Sequence, residues 1–142
     1  MENRHYEISS DEKKAIVERI RAYLQSRPDI LFAYLHGSFF FAARFRDIDL
    51  AVYLKPPLAS SLQAELEMEA ELSKGVKKYP VEVRVLNQAP LSFRYNVIKN
   101  GEPIVVVDDD LRCDFMEATL SQYFDFAPFR KMYLKEVLGS GI

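Results

Sequence analysis

Apolar residues recur every four positions at Ile16, Ile20 and Leu24, the spacing that lines one face of a helix. Ser9 followed three residues later by Glu12 is a capping-box pair, so the pattern predicts an amphipathic helix over 10–26. Arg27-Pro28-Asp29 ends it. Ile30 to His36 is then a nearly unbroken apolar run, short enough to be a buried strand. A second apolar run, Ile48 to Leu54, is interrupted by Asp49 and stopped by Pro56 and Pro57.

The middle of the chain changes period. Ser60 or Ser61 caps a predicted helix ending between Gly75 and Tyr79. Leu62, Leu66, Ala70 and Leu72 form its expected apolar side, with Glu65, Glu67, Glu69 and Glu71 on a solvated face. Residues 81–87 alternate strictly, with Val81, Val83 and Val85 facing one way and Glu82, Arg84 and Leu86 the other. Pro90 and Leu91 open a helix to about Lys99, and Asn100-Gly101 makes a turn. Pro103 to Val107 is a short strand. Asp108 to Asp110 lead into a last helix over 111–138, bent near Pro128. The expected fold is α/β (α+β), a small mixed β-sheet with helices packed on one face, in a single domain over 1–142.

Composition narrows the function classes. At 49% hydrophobic and 28% charged, the 142 residues are ordinary for one globular domain. The net charge of −2 argues against an extended nucleic-acid surface. Lys74, Lys77 and Lys78 are a short basic cluster that a helix C-terminus accounts for. No apolar run approaches the ~20 residues of a membrane span, and Met1 to Tyr6 lack the core of a signal peptide. Cys113 is the single cysteine, so no internal disulfide forms, and a cytoplasmic location is expected.

The chemistry concentrates between His36 and Leu54. Asp47 and Asp49 stand two apart at a strand start and project to one face. Adjacent carboxylates repel unless a cation sits between them, and Mg²⁺ shares its oxygen shell with substrate phosphates. Gly37 lets the backbone approach a ligand, and Ser38 offers a hydroxyl and an N–H to phosphate oxygens. Together these residues suggest metal-assisted transfer from a nucleoside triphosphate. Glu82, one crossover helix later, is the candidate third carboxylate of a two-metal site. It could equally face solvent or pair with Arg84. Arg44 and Arg46 either meet phosphate charge or offset Asp47 and Asp49. Asp108 to Asp110 are read as a helix cap, His36 as strand-end packing, and Phe39 to Phe41 as partly core.

These elements resemble the minimal nucleotidyltransferases of the DNA polymerase β-like superfamily. The resemblance rests on His36-Gly37-Ser38-Phe39, on Asp47 to Tyr53, and on Val81 to Asn87 with Ala89-Pro90. Tyr123 to Pro128 also looks like the family's closing helix. It implies Gly37 and Ser38 at the nucleotide phosphates, with Arg44 and Arg46 nearby, and Asp47, Asp49 and Glu82 as catalytic carboxylates on two Mg²⁺ ions. It implies ATP as substrate and a HEPN-domain toxin as partner. The resemblance implies that the chain is the antitoxin of such a pair, some members of which transfer AMP from ATP to a tyrosine of the toxin. Two positions depart from the pattern. Ala42 stands where the loop commonly has a second glycine, and Glu82 where the third carboxylate is commonly Asp. A binding-only antitoxin and transfer to a small molecule such as an aminoglycoside are the competing readings, and self-association stays open.

Overall fold

The computed structural model describes residues 5–42 and 44–125. Its elements are β1 (Tyr6–Glu7), α1 (Ser10–Gln25), β2 (Ile30–His36), α2 (Ser38–Phe41), β3 (Arg44–Phe45) and β4 (Ile48–Leu54). They continue with α3 (Ser61–Gly75), β5 (Val81–Val85), α4 (Leu91–Asn100), β6 (Glu102–Val106) and α5 (Asp109–Phe124). The sequence pattern anticipates every element except β1, α2 and β3, which are too short for any periodicity to register. The expected bend at Pro128 and the helix beyond it lie outside the described residues.

Three helices start on side-chain caps read from the sequence. Ser9 Oγ accepts from the Glu12 N–H at 3.1 Å, Ser60 Oγ from Gln63 at 3.2 Å, and Asp108 Oδ1 from Leu111 at 3.0 Å. Each satisfies one backbone donor that the first helical turn leaves without a partner.

Four strands form a mixed sheet in the order β5-β4-β2-β6. β2 runs antiparallel to both β4 and β6, while β4 and β5 are parallel. The parallel pair needs a long crossover, and α3 supplies it. β1 and β3 make a separate two-stranded ribbon.

The mixed sheet is as expected, but its helices cover both faces. Ala33, Leu35, Leu50, Val52, Val83 and Val85 pack with Ile16, Ile20 and Leu24 of α1 and Met68 and Leu72 of α3. On the reverse, Phe32, Tyr34 and Ala51 pack with Val97 of α4, joined by Leu111 and Phe115 of α5. The reason is visible in β2. An unbroken apolar run presents apolar side chains to both sides of the sheet, so both sides need cover.

Helix α3 is turned differently from its apolar pattern. Leu62 and Leu66 are 64% and 57% exposed, while Met68 and Leu72 enter the core. Glu65 and Glu69 face the sheet edge instead of solvent. Their Oε2 atoms accept from the backbone N–H groups of Val85 and Val83, each at 2.8 Å. β5 is an edge strand, and its outward N–H groups require acceptors. The opposite edge is treated alike, with Arg21 Nε donating to the Ile104 carbonyl at 2.9 Å. Replacing Glu65 and Glu69 together by Ala is therefore expected to cost about 2 kcal/mol, from two charge-assisted bonds at a half-buried edge. Leu62→Ala and Leu66→Ala are expected to stay within about 0.5 kcal/mol of the parent, as exposed positions do. Urea unfolding of the three variants checks the contrast. Equal losses would put the leucines back in the core.

Candidate active site

Strand register assembles the site. β2 and β4 place His36 opposite Asp49, and β4 and β5 place Asp49 beside Glu82. Asp47 immediately precedes β4. One oxygen from each of Asp47, Asp49 and Glu82 lies within 4.8 Å of the others. All three are half-buried on the sheet face that α4 and α5 cover. The sheet's alternation places Ile48 and Leu50 in the opposite core.

This clustering has an electrostatic cost. Asp49 is raised from 3.8 to about 6, first by burial and then by the charges of Glu82 and Asp47. Arg46 and Arg84 pull it down less strongly. Between pH ~4 and ~6 the folded chain holds a proton on Asp49 that the unfolded chain has released. Stability of the metal-free protein should therefore fall as pH rises through that window. Side-chain ¹³C chemical shifts should show one carboxyl titrating near 6, and Mg²⁺ should move its midpoint downward. A midpoint near 4 without metal would mean that the three charges are screened.

The donor set fits Mg²⁺. Three carboxylates supply hard oxygen ligands on one side, and the open remainder suits water and phosphate, which Mg²⁺ prefers to keep. The raised Asp49 is the same fact seen without a cation.

The neighbouring turn is built around one glycine. Gly37 has φ +79° and ψ −171°, a backbone region essentially restricted to glycine. A Cβ there would stand 2.2 Å from Asp49 Oδ2, so the bare backbone is what lets the turn close over the carboxylate. Ser38 follows as the first residue of α2. Ala42 sits at φ −119°, ordinary extended backbone, so the missing second glycine imposes no strain here.

The cations divide. Arg46 lies 3.9 Å from Asp47, and Arg84 Nε lies 3.1 Å from Glu82 Oε1. Arg44 instead pairs with Glu7 at 3.6 Å across the β1–β3 ribbon. Lys13 is a contributor that sequence reasoning missed. Its Nζ donates to the Phe40 carbonyl at 3.3 Å and lies 5.0 Å from the Phe39 ring centroid. It ties α1 to the turn holding Gly37 and Ser38 across 27 residues, a separation that leaves no local signal. His36 shares the carboxylate face and packs edge-on against Phe93 at 5.6 Å. Burial holds its imidazole below the usual value, and its buried Nε2 has no hydrogen-bond partner among the described residues. A cavity of about 480 Å³ lies between α1 and the end of α3, lined by Glu12, Arg19, Lys78 and Tyr79 among others, and none of Asp47, Asp49 and Glu82 borders it.

The family profile described as polymerase beta, nucleotidyltransferase matches residues 18–110. The chain belongs to the polymerase β nucleotidyltransferase family. That span holds β2 to β6, and with them the turn and all three carboxylates. Solved structures share the nucleotidyltransferase fold. A chain of the toxin–antitoxin MntA–HepT crystal structure is 20% identical over 89% of this chain and 99% of its own, with a TM-score of 0.65. A second likeness is to a tri-AMPylated Shewanella oneidensis HEPN toxin in complex with MNT antitoxin. It is 21% identical over 89% and 99%, with a TM-score of 0.64. A toxin–antitoxin structure with AMP-PNP gives 22% over 92% and 100%, with a TM-score of 0.61. No curated protein matches significantly. Among the described residues of this nucleotidyltransferase, no helix is long and apolar enough to cross a membrane.

Proposed function

We propose that the protein transfers AMP from ATP to a tyrosine hydroxyl of a HEPN-type toxin, and that this modification makes it an antitoxin. The observation that carries the reading is the carboxylate triad set against a glycine-only turn. Family membership supports nucleotidyl transfer, and the AMPylated toxin in a structural relative's complex supports the acceptor. A cytoplasmic location belongs to the same reading.

Each residue has a task in this scheme. Gly37 removes the side chain that would separate the turn from Asp49. Ser38 offers its hydroxyl and N–H to the β- and γ-phosphates. Arg46 balances phosphate charge beside Asp47. Arg44, held by Glu7, keeps at most an electrostatic role at longer range. Asp47, Asp49 and Glu82 would hold two Mg²⁺ ions, which supply Lewis-acid polarisation of the α-phosphate and a lowered pKa for the attacking hydroxyl. Glu82, on the edge strand, stands nearest the side open to an acceptor.

Glu82→Gln is expected to slow single-turnover transfer by about 10²-fold or more at saturating Mg-ATP, with nucleotide affinity changed far less. Glu82→Asp is expected to retain activity. Near-normal transfer by Glu82→Gln would reduce the working acidic site to Asp47 and Asp49. A second reading, neutralisation of the partner by binding alone, draws on the ion pair that already occupies Glu82 with Arg84. It predicts a stable complex whose partner keeps its mass.

A further inference from the structure

A groove of about 310 Å³ takes Arg84, the partner of Glu82, as one of its walls and is not used by the scheme above. It runs over the β5 edge between the starts of α3 and α4, lined by Ser61, Glu65, Arg84, Gln88, Pro90 and Phe93. We infer that this groove is the acceptor subsite, that it admits the ring of a partner's tyrosine, and that Phe93 and Arg84 select the ring. The inference rests on the nucleotidyl-transfer reading.

The order of strands gives the direction. Across the sheet, the Gly37–Ser38 turn ends β2, Asp49 stands on β4, and Glu82 stands on β5, with the groove beyond. In phosphoryl transfer the attacking and leaving oxygens lie roughly in line on opposite sides of phosphorus. Pyrophosphate held at the turn leaves toward β2. The attacking hydroxyl then enters from β5, where the groove opens.

The lining gives the class of acceptor. Phe93 and Pro90 offer apolar walls, and the Arg84 guanidinium lies 6.0 Å from the Phe93 centroid. A planar ring can pack on Pro90 and against the side of Phe93 open to the groove, beside that cation. Arg84 also bonds Glu82 at 3.1 Å, so the wall it forms leads from the groove to that carboxylate. A phenol puts its oxygen at the far end of the ring, toward Glu82, with its body filling the groove. A serine hydroxyl leaves the walls bare. His36 supports Phe93 from behind, edge to face.

The step balances. The phenol oxygen forms a bond to the α-phosphorus of ATP, and the bond from that phosphorus to the bridging oxygen breaks. Pyrophosphate leaves, the phenol proton goes to solvent, and nothing is oxidised or reduced.

The test uses the full chain, Mg-ATP and three short acetylated peptides that differ only in carrying one Tyr, Phe or Ser. Mass spectrometry reads AMP addition, and calorimetry reads Mg-ATP affinity. The Tyr peptide should gain AMP, the Phe peptide should compete without being modified, and the Ser peptide should do neither. Phe93→Leu and Gln88→Trp should lower Tyr-peptide transfer by about tenfold or more, the range of a lost or blocked pocket contact. Their Mg-ATP affinity should hold within about twofold. Gln88 is exposed, so its variant tests the groove even if the Phe93 variant disturbs packing. The inference falls if both variants modify the Tyr peptide normally, if they lose Mg-ATP affinity instead, or if Mg-ATP binds through Asp47 yet no tyrosine is modified. Absence of Asp47-dependent Mg-ATP binding would remove the nucleotidyl-transfer reading itself, and this inference with it.

Discussion

Asp49→Asn is expected to cripple transfer while making the metal-free protein more stable. The central carboxylate stands beside Glu82 in register and within reach of Asp47, so its loss removes the ligand shared by the whole cluster. A drop of about 10²–10³-fold in the chemical step is expected, the scale of losing one positioned electrostatic group. Stability should move the other way. Asp49 is raised to about 6, so at pH 7.5 the native fold carries a charge that its surroundings disfavour. A neutral amide removes that repulsion. Because the site is partly open to water, the gain should be about 1 kcal/mol or less, a rise of roughly 3 °C in Tm. Mg²⁺ should raise the parent's Tm and leave the variant's unchanged. Calorimetric melting of both proteins, with and without Mg²⁺, reads all four values. A variant less stable than the parent without metal would show that the carboxylate makes a structural bond here.

Gly37→Ala should damage both the fold and the site. The residue combines a positive φ with a path blocked by Asp49 Oδ2 at 2.2 Å from the added Cβ. Backbone strain alone costs about 1–3 kcal/mol, and relief of the clash must displace either the turn or the carboxylate. Melting should therefore drop by several degrees, and Mg-ATP affinity should fall about tenfold or more, since small displacements at such sites carry large penalties. Gly75 gives the control. It ends α3 with nothing within 4 Å of an added Cβ, so Gly75→Ala should be neutral or stabilise by up to about 1 kcal/mol. Equal behaviour of the two variants would mean that the turn is pliable.

Much of this was readable in the chain because the determinants are local. Alternation places Glu82 and Arg84 on one side of β5, and the Asp-x-Asp spacing opens β4. Ser9, Ser60 and Asp108 announce their helices in the residues just after them. What was not readable depends on who neighbours whom. The rotation of α3 follows from β5 being an edge strand, whose N–H groups draw Glu65 and Glu69 inward and leave Leu62 and Leu66 outside. Arg44 and Arg46 looked equivalent until pairing of β3 with β1 set Arg44 beside Glu7. The helices were expected on one face only, and the second layer went unread, because the apolar run of β2 does not say which helices will cover its two sides.

In the proposed scheme Asp47, Asp49 and Glu82 together drive Mg-dependent transfer of AMP to a protein. The most direct measurement incubates the chain with a HEPN-domain partner and ATP labelled at the α-phosphate, with Mg²⁺ or with a chelator. The predicted result is label covalently attached to a partner tyrosine in Mg²⁺ alone, with an initial rate lower by about 10²-fold or more for Asp49→Asn. A stable complex without label, or labelling by Asp49→Asn at the parent's rate, would contradict it.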